Sequence, residues 1–499
     1  MIFSSLLFLA VFLTAVLILY YVLPLKNRVA LMTYRNIVLL VSSMFFYAWG
    51  EPVCVFIMLF SIAMNYAAGV IIGRSREKGK PGGAKAALVA AIVLNLLMLG
   101  VFKYTPLVFD TLKALIPAMK GVSTPVAKDI LYKALSGIIP QLKGVKIGVE
   151  NMLPIGISFY TFQAMSYVID VYRGDTGVQK NPMLFGTYVA LFPQLIAGPI
   201  VRYKDIENQM LGRHESVSQV SSGIKQFAVG LAKKVLLANQ LSALWTVLRS
   251  TSGTNGPLGS WMGVAVYCLQ LYFDFSGYSD MAIGLGRMFG FEFLKNFDYP
   301  YIAQSVSEFY RRWHISLSTW FREYVYFPLG GNRKGPARQV LNMLIVWALT
   351  GLWHGANWNF VLWGLWLAFF IIMEKLFLGK ILKKLPRILR HVYTLIAIGL
   401  SMLIFDFTDM NNLPAYVVSL FDFSHGFVSH DTLVYILSYL PLFIVAVLAA
   451  TPFFANIRKR LNGKVWIEYV DIFLVLACLA LSIASLVSSG YNPFIYFRF

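Results

Sequence analysis

Two short segments carry side chains that could do chemistry. The first begins at Glu308 and reads EFYRRWHISLSTWFREYVYFPLGGNRKG. On a helix turning by roughly 100° per residue, Arg311, His314, Ser318 and Arg322 fall on one face, and Trp313, Leu317, Trp320 and Tyr324 on the opposite one. The pattern ends at Gly330 and Gly331, before a basic turn of Asn332, Arg333 and Lys334. A helix so divided is either interfacial, with arginines at phosphates and aromatics among acyl chains, or the wall of a site. The second segment, TGLWHGANWNFVLWG at 350 to 364, follows an apolar run and sets His354 among tryptophans. Such a histidine is either a satisfied packing residue or a proton-transfer group. Ionisable side chains inside spans are rare and usually functional, and imidazole exchanges protons near neutral pH.

A third segment, LYFDFSGYSDMAIGLGRMFGF at 271 to 291, places Asp274 and Asp280 in apolar surroundings. They either shape a polar cavity or hold a cation, or else they satisfy neighbouring backbone and hydroxyl groups. The GLG at 284 to 286 lacks the spacing and context of a dinucleotide fingerprint. His214, His391, His425 and His430 sit in polar or connecting segments and receive no role. No metal-ligand spacing is present, and Cys54, Cys268 and Cys478 lie far apart in apolar stretches.

The elements that must position these residues are membrane helices. Of 499 residues, 58% are hydrophobic and 13% charged, with a mean hydropathy of +0.66. A helix crossing lipid needs roughly 20 apolar residues, and such stretches recur along the chain as about eleven to thirteen transmembrane or re-entrant helices. The fold class expected is therefore an all-α integral membrane protein. The first stretch, Phe3 to Leu23, has no cleavage signature and reads as a retained span.

The net charge of +20 would suggest nucleic acid in a soluble protein. Here the basic residues gather in short connections, at 74 to 85, 375 to 390 and 458 to 464, as cytoplasmic loops do. Nucleic acid is excluded as a partner, and the bilayer takes its place. Alternation of basic and non-basic connections puts the N-terminus outside the cytoplasm, and a last span near 468 to 487 delivers the tail to the same side. The segment from Lys103 to Glu150 cuts against this order, because it is expected outside yet carries seven lysines against three acids. With no internal repeat and no long linker, residues 1–499 read as a single domain with a motif-dense core at 153–366 and a C-terminal span and tail at 468–499. Between Leu153 and Trp366 the apolar runs are broken by Pro, Gly, Asp, Arg and His. Such interruptions survive at membrane depth only around a buried, partly hydrated interior.

Five of these stretches together resemble the bacterial alginate O-acetyltransferase branch of the membrane-bound O-acyltransferase family. They are LPIGISFYTFQAMSYVIDVYRGD at 153 to 175, LIAGPIVRY at 195 to 203, YFDFSGYSDMAIGLG at 272 to 286, RRWHISLSTWFREYVYFPLGGNRKG at 311 to 335 and GLWHGANW at 351 to 358. The resemblance implies helices around a central tunnel, open to an acyl donor from the cytoplasm and to an acceptor from outside. It makes His354 the family's near-invariant histidine and His314 its second site histidine. The chemistry expected is acetyl transfer from acetyl-CoA, bound as a substrate and not as a permanent cofactor, to an extracytoplasmic polysaccharide. Transfer is direct or through a secreted acetyltransferase partner. In this scheme His354 is the base, and His314 polarises the acyl carbonyl or orients the donor. Arg322, Arg333, Lys334 and Arg338 either attract the phosphates of the donor or are ordinary cytoplasmic charges.

The tail NPFIYFRF resembles a short tyrosine-bearing motif of related cell-surface acylation systems, which makes Tyr496 a candidate acyl carrier; its alternative is an aromatic anchor at the membrane interface. The localisation implied is the bacterial cytoplasmic membrane, with multiple spans. D-alanyl transfer to teichoic acid is the second enzymatic reading. A transporter or lipid scramblase is the alternative from another class, and it calls for repeated halves that the sequence lacks.

Overall fold

The computed structural model describes residues 1–119, 121–124, 126–138, 153–196, 198–461 and 463–488. Among the described residues the regular structure is helical, with no strand, and the chain is an all-α integral membrane protein. Among the described residues seven helices are long and apolar enough to cross a bilayer. The expectation of about eleven to thirteen included re-entrant segments, and the central helices are where the two counts part. They are shorter, more polar or more charged than a lipid-facing span, because their surroundings are protein.

The chain divides into two compact units. The first takes residues 1–224 and 282–294 and holds the spans α1 (Arg28–Gly50), α2 (Val55–Glu77) and α3 (Pro81–Leu115). Asn27 caps α1 through its side chain, which accepts from the Ala30 amide at 3.1 Å. α2 and α3 are joined by a reciprocal amide pair. Asn65 donates to Asn95 at 3.2 Å and Asn95 to Asn65 at 2.7 Å, both fully buried. Side-chain amides hold helices together in this way where lipid offers no hydrogen bond. α4 (Ile157–Arg173) is buried on every face from Ile157 to Val171. It therefore tolerates Thr161, Gln163, Ser166 and Asp170 in its interior, and its sequence lacks the apolar uniformity of a span.

Among the described residues the second unit takes 225–281 and 295–488. α5 (Val217–Ala232) enters it and leads into Lys233 and Lys234. These face α6 (Gly256–Met288), where Lys234 meets Asp274 at 2.5 Å and Lys233 meets Asp280 at 2.7 Å. Neither reading of these carboxylates named these partners, which are lysine ammonium groups and not backbone or hydroxyl groups. The site-bearing elements follow: α7 (Val306–Arg312), α8 (Ile315–Phe321), α9 (Pro336–His354), α10 (Trp358–Met373) and α11 (Arg387–Asp406). Two spans close the unit, α12 (His430–Ala449) and α13, which covers Trp466–Ser488. α13 presents Phe473, Leu476 and Leu481 outward, as a helix solvated by acyl chains does.

The Lys234 and Asp274 side chains are 1% and 2% exposed. Removing one charge strands the other in a medium that solvates it poorly. Lys234→Met should lower unfolding free energy by about 3 to 5 kcal/mol, and the double change Lys234→Met with Asp274→Leu should recover most of it. Denaturant or thermal unfolding in detergent measures both.

Candidate active site

The segment read as one amphipathic helix is two helices. α7 ends at Arg312, and the chain turns through His314, whose φ of 45° and ψ of 55° lie in the left-handed region. A non-glycine residue held there stores strain on the order of 1 to 3 kcal/mol. The break has a tertiary cause. The Ile315 amide donates to the Asn296 carbonyl at 2.9 Å, and the Ser316 amide donates to Asn296 Oδ1 at 3.2 Å. Both donors are thereby drawn away from the helical ladder. Sequence periodicity cannot register that competition. Trp313, Leu317, Trp320 and Tyr324 are buried in protein, so the segment is not an interfacial helix.

α7 is fixed at its start as well. Ser305 accepts from the Glu308 amide at 3.0 Å, an N-cap. Glu374, in the turns that continue α10, accepts from the amides of Val306 at 2.7 Å and Ser307 at 2.9 Å, and from the Tyr393 hydroxyl at 3.1 Å. A carboxylate suits the positive end of a helix. The sequence hint for Glu374 was a lone acid closing the apolar run WNFVLWGLWLAFFIIM.

His354 is the last residue of α9. Met343, Trp347, Thr350 and His354 recur at helical spacing and line one cavity. The flanking glycines of GLWHG allow α10 to return closely. A Cβ on Gly351 would lie 2.2 Å from the Phe360 carbonyl oxygen, and one on Gly355 would lie 2.1 Å from the Phe360 ring. This close return boxes the imidazole, with ring centroids of Trp353 and Trp363 at 5.0 Å and of Phe405 at 5.4 Å.

The cavity measures about 450 Å³, within the range of small-molecule sites. His314 and His354 both line it, with ring centroids 6.4 Å apart. Both residues are buried. His314 lies outside the seven spans, and burial pushes its imidazole well below the usual histidine range, so the ring is neutral. Three cationic residues complete the lining: Arg311, Arg322 and Lys375, each with an exposed side. Among the described residues no carboxylate lines it. The arrangement favours a substrate with an uncharged reacting end and an anionic outer end.

The residues expected from sequence separate here. His314, His354 and Arg322 share the cavity, whereas Arg338, in the first turn of α9, and Arg333 and Lys334, on the turn before it, are exposed and do not line the cavity. That turn is tied down by Asn342, which donates to the Gly331 carbonyl at 2.9 Å. Tyr496 lies outside the described residues. Sequence reasoning passed over Lys375, counted among loop charges, and Asn296, which sits in a stretch without periodic signal. Among the described residues no cluster of His, Cys, Asp or Glu has the arrangement of a metal site.

A model of the membrane-bound O-acyltransferase family matches residues 177–408, which include every cavity residue named above. A Pseudomonas putida protein described as a probable alginate O-acetylase is 34% identical over the whole length of both chains. The chain belongs to the membrane-bound O-acyltransferase family. An Azotobacter vinelandii protein with the same description is 35% identical, again over all of both chains. A Helicobacter pylori peptidoglycan O-acetyltransferase is 31% identical over 66% of this chain and 62% of its own. This membrane-bound O-acyltransferase is accordingly a multi-pass membrane enzyme that transfers acyl groups.

Because the folded state disfavours protonated His314, its ring should remain neutral as pH falls through the ordinary histidine value of about 6.5. Unfolded chains gain that proton and the native state does not, so this residue contributes stability that is lost below that pH. Nitrogen-15 spectra of histidine-labelled protein at pH 7.5 and pH 5 test it: an unchanged His314 signal is expected.

Proposed function

We propose that this O-acyltransferase carries acetyl from cytoplasmic acetyl-CoA to a hydroxyl group destined for an extracytoplasmic polysaccharide, either directly or through a secreted acetyltransferase. The observation that carries the proposal is the pairing of two buried histidines on one cavity whose charged lining is cationic. The named activities of the relatives, acetylation of alginate and of peptidoglycan, favour acetyl as the group and a cell-surface glycan as its destination.

The acetyl thioester enters acyl end first. Arg311, Arg322 and Lys375 hold the phosphates at the exposed side, where an anion is stabilised without being buried. The acyl carbon then lies within reach of both rings. One histidine takes the proton from the incoming hydroxyl while the other donates to the carbonyl oxygen as negative charge develops there. The aromatic box excludes water, which strengthens those contacts and suppresses hydrolysis of the thioester. A bacterial cytoplasmic membrane with both termini outside belongs to the same proposal, since donor and acceptor then meet the cavity from opposite sides.

Transfer of labelled acetyl from acetyl-CoA by protein in vesicles, with glycan and the secreted fraction present, is the direct assay. His354→Ala should reduce transfer by about 10² to 10⁴-fold, whereas joint replacement of Arg322 and Lys375 by alanine should raise the KM for donor and spare kcat. Parental transfer by His354→Ala, or accumulation of intact acetyl-CoA inside vesicles without transfer, would contradict the proposal.

A further inference from the structure

We infer that Glu374 is a positioning residue for the acyl donor: its carboxylate fixes Arg311 and Lys375 as two arms of one anion clamp without neutralising either. The inference rests on the reading above, in which those cations hold the donor's phosphates, and adds the group that sets their spacing.

Two of the three cavity cations stand on backbone that departs from the ordinary α-helix. Arg322 opens one π-helical stretch, Arg322–Tyr326, and Lys375 is the second residue of another, Glu374–Leu378. Hydrogen bonds from i to i+5 widen the turn and re-aim its side chains. In the second stretch two consecutive side chains part company. Glu374 is buried, whereas Lys375 lines the cavity and is exposed.

An acid next to Lys375 in the chain could pair with it and cancel its charge. Glu374 does not. Its Oε1 accepts from the Val306 amide at 2.7 Å and from the Tyr393 hydroxyl at 3.1 Å, and its Oε2 accepts from the Ser307 amide at 2.9 Å. Among the described residues Arg311, Arg322 and Lys375 have no hydrogen bond or ion pair to protein, so their charge is left for a ligand.

Those three bonds join the turn that carries Lys375 to α7 and α11. The amides of Val306 and Ser307 are the first two of α7, donors that no carbonyl of the helix can take. α7 has seven residues and rises only about 10 Å, so an anchor on its first two amides governs its rotation and depth. Ser307, Tyr310 and Arg311 lie one turn apart on it and all line the cavity. One carboxylate therefore sets Arg311, on α7, against Lys375, on the adjoining turn. Without it the first turn of α7 loses its acceptors, and the two cations no longer keep a fixed separation.

The test compares two donors in the vesicle assay with full-length protein: acetyl-CoA, and S-acetylpantetheine, which has the same thioester but no phosphate. The parent should show the lower KM for acetyl-CoA. In Glu374→Ala that advantage should shrink about tenfold, while kcat with acetyl-CoA and both constants for S-acetylpantetheine stay within about twofold of the parent. Glu374→Gln, which keeps one accepting oxygen, should lose less of the advantage, and Tyr393→Phe, which leaves both amide bonds, should keep most of it. A merely structural role would move both donors alike. An undiminished advantage in Glu374→Ala, or an equal loss with both donors, overturns the inference; if Glu374→Ala fails to fold, Glu374→Gln decides on the same criterion. A parent that does not prefer acetyl-CoA contradicts the phosphate reading itself, and the parent alone shows that outcome.

Discussion

Backbone that leaves the helix in a buried setting must find its hydrogen bonds within the protein, and at the turn through His314 one residue, Asn296, accepts two of them. Asn296 receives the Ile315 amide on its backbone and the Ser316 amide on its side chain. Without those acceptors the ladder of α7 would run on, and the histidine would rotate with it. The left-handed turn thus exchanges local strain for a fixed ring orientation. The Glu374 carboxylate holds the start of α7, and Asn296 holds the start of α8.

The partner ring is positioned by packing instead. His354 sits where α9 ends, and the glycines on either side let α10 pass close enough to enclose it with Trp363, while Phe405 of α11 closes another side. One histidine is set by hydrogen bonds and the other by aromatic contact. Their common cavity is lined mainly by apolar and hydroxyl side chains, and its charge is confined to Arg311, Arg322 and Lys375.

Much of this was legible in the chain. Hydropathy and loop charge announced a helical membrane protein, whereas GLWHG left His354 open between packing and proton transfer until the family resemblance singled it out. Arg311, His314, Ser318 and Arg322, drawn on one face, all line the cavity, but so do Trp313 and Leu317 from the face drawn opposite. The continuous helix drawn through them was wrong, because a long-range acceptor at Asn296 overrode local periodicity. Charges were the hardest to sort. Lys375 and Arg338 look alike as loop cations, and only the fold shows that one lines the cavity and the other does not. Lys233 and Lys234 were invisible as partners of Asp280 and Asp274, because separation in sequence conceals a pairing across two helices.

The central claim is that both histidines act on one acyl group within this cavity. A structure with a non-transferable thioester analogue of acetyl-CoA bound would test it most directly. The account predicts the acyl carbon between the rings of His314 and His354, with the phosphates beside Arg311, Arg322 and Lys375. Binding with the acyl group beyond contact of either ring would contradict it.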